Sequence, residues 1–225
     1  MSLDPLNMAG RSKVTNGGLL DRFKVSGVGT QPEEIQRWLK SDFAGYLLRH
    51  ERRLLRDKFP AFHGYRMLRL GLSEDIETLD CFDQIHRFSL HPAEIDGSHA
   101  ALANYADLPL GSETIDAMLL HHAIEFSVSP KAVLAEASRV IVPGGNILLC
   151  LFNPYGPMGL LKYPMQLFSQ RAQYKFHNLR LGRVSDWLSL LNFQVVQIEH
   201  GAYNLPLNSP EWVEHDSRWE RACQK

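Results

Sequence analysis

Residues 69–75, Arg-Leu-Gly-Leu-Ser-Glu-Asp, stand between an apolar run and a helical pattern, where many α/β proteins hold a ligand. Gly71 lets the backbone turn sharply, Ser73 is small enough to cap, and Glu74 and Asp75 fall in the first helical turn, where negative charge complements exposed N–H groups. The same acids repel a diphosphate, which argues against a dinucleotide. A second cluster, His121 and His122 with Glu125 three residues on, closes the apolar run Ala117–Leu120. Adjacent histidines cannot share one helical face, and His122 with Glu125 lacks a third ligand, so no metal site is expected. A neutral imidazole at a strand mouth can instead serve as general base or hydrogen-bond donor, while a purely structural histidine fits either position equally well.

The elements that must hold these groups follow from periodicity. Ile35, Leu39, Phe43, Tyr46, Leu47, Leu54 and Leu55 recur at helical spacing, which predicts one long helix, opened by a Thr30–Glu33 capping box with Pro32 in its first turn and ended before Pro60. Its Arg49, Arg52, Arg53 and Arg56, interspersed with Glu51 and Asp57, read as a solvated face. From residue 65 onward, strand patterns alternate with helical ones: strands in 65–71, 84–90, 99–105, 114–122 and 145–153, and a helix over 129–141 with Leu134, Ala137, Val140 and Ile141 buried. Pro143-Gly144-Gly145 is expected to turn the chain, and Glu136 and Arg139 to pair structurally. A helix over 183–193 capped near Ser185 and a closing strand at 194–200 complete a βαβ series around a parallel sheet. Residues 153–182, rich in Pro, Gly and aromatics, read as a long loop, and the apolar tips of 152–161 at its start suit covering a substrate better than touching a membrane surface.

Composition sets outer limits. The 225 residues suffice for one domain over 30–225 behind a loose leader at 1–29, and a formal net charge of -1 gives no electrostatic case for bulk nucleic-acid binding. Cys81, Cys150 and Cys223 are too scattered for a metal site, which favours free thiols in the cytoplasm over one disulfide and an odd thiol. The longest apolar run, near 147–152, is far short of the roughly 20 residues that span a bilayer.

S-adenosylmethionine (SAM) carries a sulfonium and an ammonium but no phosphate, so it tolerates the acids after Gly71. Residues 106–154, from Ala-Asp-Leu-Pro to Phe-Asn-Pro, closely resemble the core of class I SAM-dependent methyltransferases of the type 11 kind. They are most similar to a bacterial branch with an L-P-H-x-L-E-F strand end, and 183–196 resembles that branch's R-L-x-D-W-L-x-L-L-G-F segment. The resemblance runs from about residue 32 to 207. It implies a Rossmann-like sandwich, a mostly parallel sheet of about seven strands with helices on both faces and an added N-terminal helix.

It also implies methyl transfer from SAM to an unidentified small molecule. Gly71, Ser73, Asn104, Tyr105 and His121 would line the cofactor pocket, and His122 would act near the acceptor. The first motif, acid-x-G-x-G-x-G in the family, is altered here: Arg69 stands at the acid, and Ser73 and Asp75 at two of the glycines. At the second strand end, Ser89 and His91 occupy the place of the usual ribose-binding acid, with Glu94 and Asp96 only beyond. Each lost charged hydrogen bond removes about 1.5–3 kcal/mol. The rival expectation is therefore a catalytically silent methyltransferase-like protein that binds a partner through 153–168 and the basic helix, its pocket filled by Arg69 and Asp75.

Overall fold

The computed structural model describes residues 24–202 apart from 26, 60, 61, 74, 75, 95–100 and 170. Most of the expected leader, together with Asp75, Asp96 and Cys223, lies outside the described residues. Val28–Thr30 forms a 3-10 turn whose Val28 is buried and donates its N–H to the Phe126 carbonyl at 3.1 Å.

The single long helix predicted at the N-terminus is two: α1 (Pro32–Leu39) and α2 (Asp42–Lys58). Ser41 breaks it by taking an extended conformation and capping α2, its Oγ accepting from the Ala44 N–H at 3.3 Å. Pro32 does open α1, but the residue before it is Gln31 and no side chain caps that end, so the expected Thr30–Glu33 box does not form.

Five parallel strands follow: β1 (Arg66–Gly71), β2 (His86–His91), β3 (Ala101–Leu102), β4 (Ile115–His121) and β5 (Ile141–Cys150), in the spatial order β3-β2-β1-β4-β5. Asp116 at the foot of β4 fixes the start of β1, its Oδ2 accepting from the N–H groups of Tyr65 and Arg66 at 3.0 and 2.8 Å. The expected strand at 194–200 is absent, and Val196 there is 95% exposed, so the described sheet has five strands rather than about seven. The predicted turn at Pro143-Gly144-Gly145 is a register irregularity within β5, and Gly144 meets it with φ +79°.

Alternation along β1 separates two packed layers. Leu68 and Leu70 face a core shared with Met118, Leu120 and the buried stripe Val133, Leu134, Ala137 and Val140 of α4 (Pro130–Val140). Ile141, expected in that stripe, instead begins β5. Met67, Ala117 and Leu119 face Leu55 of α2 and Leu79 of α3 (Ile76–Leu79). Glu136 and Arg139 do pair, and they tie α4 to the preceding loop: Glu136 accepts from Leu108 N–H, while Arg139 donates to the carbonyls of Leu108 and Leu110.

The expected long loop after β5 contains α5 (Pro157–Phe168) and a 3-10 turn at Ala172–Tyr174. Apolar residues lie on both the buried and the exposed sides of α5 and Pro164 interrupts it, which leaves no inward-facing stripe to read. The last helix, α6 (Leu181–Leu190), starts ahead of the expected cap, so Ser185 lies inside it.

Candidate active site

The strand order reverses between β1 and β4, and open α/β sheets bind ligands at the carboxyl ends beside such a reversal. There Gly71 and His121 are register partners, which brings together two residues fifty positions apart that the sequence nominates for one pocket. A roof of aromatic and aliphatic side chains, including Trp38, Leu47, Leu72, Phe126, Phe152 and Phe176, closes over this edge.

Arg69 lies across Gly71. It points to the α2 side of β1, is 1% exposed, and donates to the Ser73 carbonyl, to Ser73 Oγ at 3.0 Å and to His121 Nδ1 at 3.2 Å. A Cβ added to Gly71 would meet the Arg69 guanidinium and the His121 carbonyl oxygen at 3.1 Å, so the space that a glycine normally leaves for a ligand is already taken.

Glu51 of α2 completes the cluster. One oxygen pairs with His121 Nε2 at 2.7 Å and the other with His122 Nε2 at 2.8 Å, while His122 Nδ1 meets Glu125 at 2.7 Å. The second Glu125 oxygen accepts from the Phe152 N–H at 2.6 Å, and the Phe152 ring stacks on His122 with centroids 4.2 Å apart. His122 takes up this position with φ 57°, a left-handed conformation uncommon outside glycine.

Burial works against charge on His122, but Glu51 and Glu125 on either side outweigh it and push the imidazole up to about 10. It is thus an imidazolium that donates from both nitrogens. For His121 burial prevails, and its pKa is lowered. Burial would raise Glu51, yet the charge of His122 and hydrogen bonds from both imidazoles hold it well below the carboxylate range. Burial raises Glu125, partly offset by His122.

Glu51 is the residue that sequence reasoning missed. The Arg-rich stretch around it reads as solvated, but Glu51 lies four residues from each of the buried Leu47 and Leu55, on the inward stripe of α2. It also supplies the third donor beside His121 and His122, the three ligand atoms lying within 4.8 Å of one another. In this arrangement Arg69 donates to His121 Nδ1, which leaves the imidazole proton on Nε2 facing Glu51, so the lone pair a metal would need there is not available.

The other nominated residues are spread along the same edge. Tyr105 is buried, and its hydroxyl bridges β1 and β2: it accepts from Gly71 N–H at 3.1 Å and lies 2.7 Å from the Gly71 carbonyl and 3.2 Å from that of Leu90. Asn104 is exposed, and its Oδ1 accepts from Ala106 N–H at 3.0 Å within its own turn. His91 at the end of β2 folds back on Ala93. Between α1, α2 and His121–His122 there remains a hollow of about 10 Å³, room for about one water.

Comparison with known proteins agrees with this architecture. A family model described as a methyltransferase domain matches residues 75–149. YafS of Escherichia coli is 30% identical over 148 residues, which cover 64% of this chain and 59% of YafS. Protein MJ1123 of Methanocaldococcus jannaschii is 37% identical over 61 residues, 27% of this chain and 30% of that protein. The chain therefore spans less than two thirds of either curated relative. A SAM-dependent methyltransferase of Thermotoga maritima superposes with a TM-score of 0.58 at 18% identity, over 72% of this chain and 77% of that one. The YcgJ protein of Bacillus subtilis gives 0.52 at 13% identity, over 76% and 86%. The fold is that of the class I methyltransferases. The methyltransferase-domain match runs across β2 and β4 and into β5 of this fold. Among the described residues no helix is long and apolar enough to cross a membrane.

Proposed function

We propose that this protein is a SAM-dependent methyltransferase acting on a small-molecule acceptor. The reading is carried by the reversal between β1 and β4, where Gly71 and His121 meet at the carboxyl edge of a chain matching the methyltransferase domain. A formal net charge of -1 supports a small acceptor over a polyanion, and the free thiols of Cys81 and Cys150 suit the cytoplasm.

The edge in its present arrangement does not fit SAM. A cofactor of that size needs a pocket of a few hundred Å³. The hollow beside Ser73, His121 and His122 offers about 10 Å³, and Arg69 covers Gly71. Binding at Gly71, Ser73, Asn104, Tyr105 and His121 therefore requires Arg69 to leave Gly71; were Glu51 also to move away, His122 would lose one of the two carboxylates that hold its proton.

The same plug favours a second reading, a catalytically silent methyltransferase-like binding protein. Isothermal titration of the full chain with SAM and S-adenosylhomocysteine separates the two. The methyltransferase reading expects saturable binding, tightened in Arg69→Ala, whose fold is checked by circular dichroism. No binding near millimolar concentration to either folded protein leaves the silent reading.

A further inference from the structure

Helix α5 carries buried polar groups beneath an exposed apolar face. Its inward side sets Lys162 and Gln166, both buried, beside Met158 and Met165, with Lys162 donating to the Phe176 carbonyl and Gln166 to that of Tyr174 at 2.7 Å. Its outward side carries Leu160, Tyr163, Pro164, Leu167 and Phe168, at the i, i+3, i+4, i+7, i+8 spacing of one helical face. Phe168 is 87% exposed and Leu160 60%, and Tyr155 just before the helix is 67% exposed. Stability alone would favour the reverse arrangement, because apolar surface gains by leaving water and a buried ammonium loses. Buried polar groups beneath a contiguous exposed apolar face mark an interaction surface rather than scattered surface leucines.

Charge identifies the occupant. Residues 153–183 contain Lys162, Arg171, Lys175, Arg180 and Arg183 and no Asp or Glu. Lys162 is committed inward, but Arg171, Arg180 and Arg183 are exposed, and Arg180 lies 6.0 Å from the Tyr155 ring centroid at the rim of the apolar face. Glu34 of α1, which reaches this segment, is engaged by the Ala172 N–H at 3.1 Å. An apolar stripe of Leu, Tyr and Phe flanked by arginines matches the boundary of an anionic bilayer, where rings and aliphatic chains enter the acyl region and guanidinium groups meet lipid phosphates. A polynucleotide would use the arginines but leave the stripe in water.

We propose that α5 and its flanking arginines dock this protein peripherally on an anionic lipid surface. Because α5 follows the carboxyl end of β5, docking sets the candidate active site's side of the sheet next to the bilayer. The proposal is independent of whether SAM binds.

The test is co-sedimentation of the full chain with large vesicles of phosphatidylcholine containing phosphatidylglycerol, against vesicles of phosphatidylcholine alone. The chain is expected to sediment with the anionic vesicles and stay in solution with the neutral ones. Leu160→Glu with Phe168→Glu, both exposed and so compatible with folding, should weaken binding about a hundredfold. Arg171→Gln with Arg180→Gln should remove the preference for anionic lipid. Failure to sediment with either vesicle overturns the proposal, as does binding unaffected by the Leu160 and Phe168 substitutions. A dimer in light scattering that those substitutions dissociate, without vesicle binding, assigns the face to a second copy and overturns it too. Retention on single-stranded RNA by a chain that ignores vesicles does the same.

Discussion

Glu51 satisfies two imidazoles with one carboxylate, and its removal strands both. Glu51→Ala leaves His121 Nε2 and one side of the buried His122 imidazolium without a partner, the situation in which a broken buried pair costs most. We expect a loss of about 3 kcal/mol in urea unfolding, the lower end for such pairs because the Glu51 side chain is 12% exposed. The opposite residue, Arg69, covers Gly71 from β1 and satisfies Ser73. The identity of Arg69 was legible as a departure from the family's acid. Its consequence was not, because the groups that hold the guanidinium include His121 of β4, which meets Arg69 only once β1 and β4 pair.

At the scale of elements, Tyr105 decides how the carboxyl edge is closed. Its hydroxyl spans the ends of β1 and β2, so Tyr105→Phe is expected to leave a buried Gly71 N–H unpaired and to cost about 1–2 kcal/mol by thermal unfolding. β1, β4 and α4 were readable because short apolar runs and one strong helical stripe make those segments unambiguous. The break between α1 and α2 was less so: Ser41 interrupts a continuous 3.6-residue pattern without proline or glycine, and only the packing of both helices on the roof selects the bend. For α5 the apolar pattern points away from the protein, so a reading that assigns apolar faces to the core could not find its orientation.

For the whole molecule, the buried cluster predicts how stability depends on pH. His122 is raised from 6.5 to about 10 in the fold, so its contribution is complete below about pH 6.5 and is lost as pH rises toward 10. Glu51 is lowered, so its contribution is present above the ordinary carboxylate range and lost in strong acid. His121 is lowered, and the fold gives up stability below pH 6.5, where the unfolded chain takes up that proton. Stability should therefore peak near neutrality, and melting temperature should fall between pH 7 and 10. His122→Gln should flatten most of that alkaline slope; an unchanged slope would show that other groups set it.

The sequence by itself determined the α/β alternation, the placement of Gly71 and His121 at strand ends, and the resemblance to type 11 methyltransferases, since these rest on local periodicity and on motifs continuous in the chain. The tertiary structure decided that the sheet has five described strands, that Glu51 joins His121 and His122, and that Arg69 fills the space over Gly71. Those facts arise from side chains of separate elements meeting, and no local pattern encodes which charge will be available to meet another once the chain is folded.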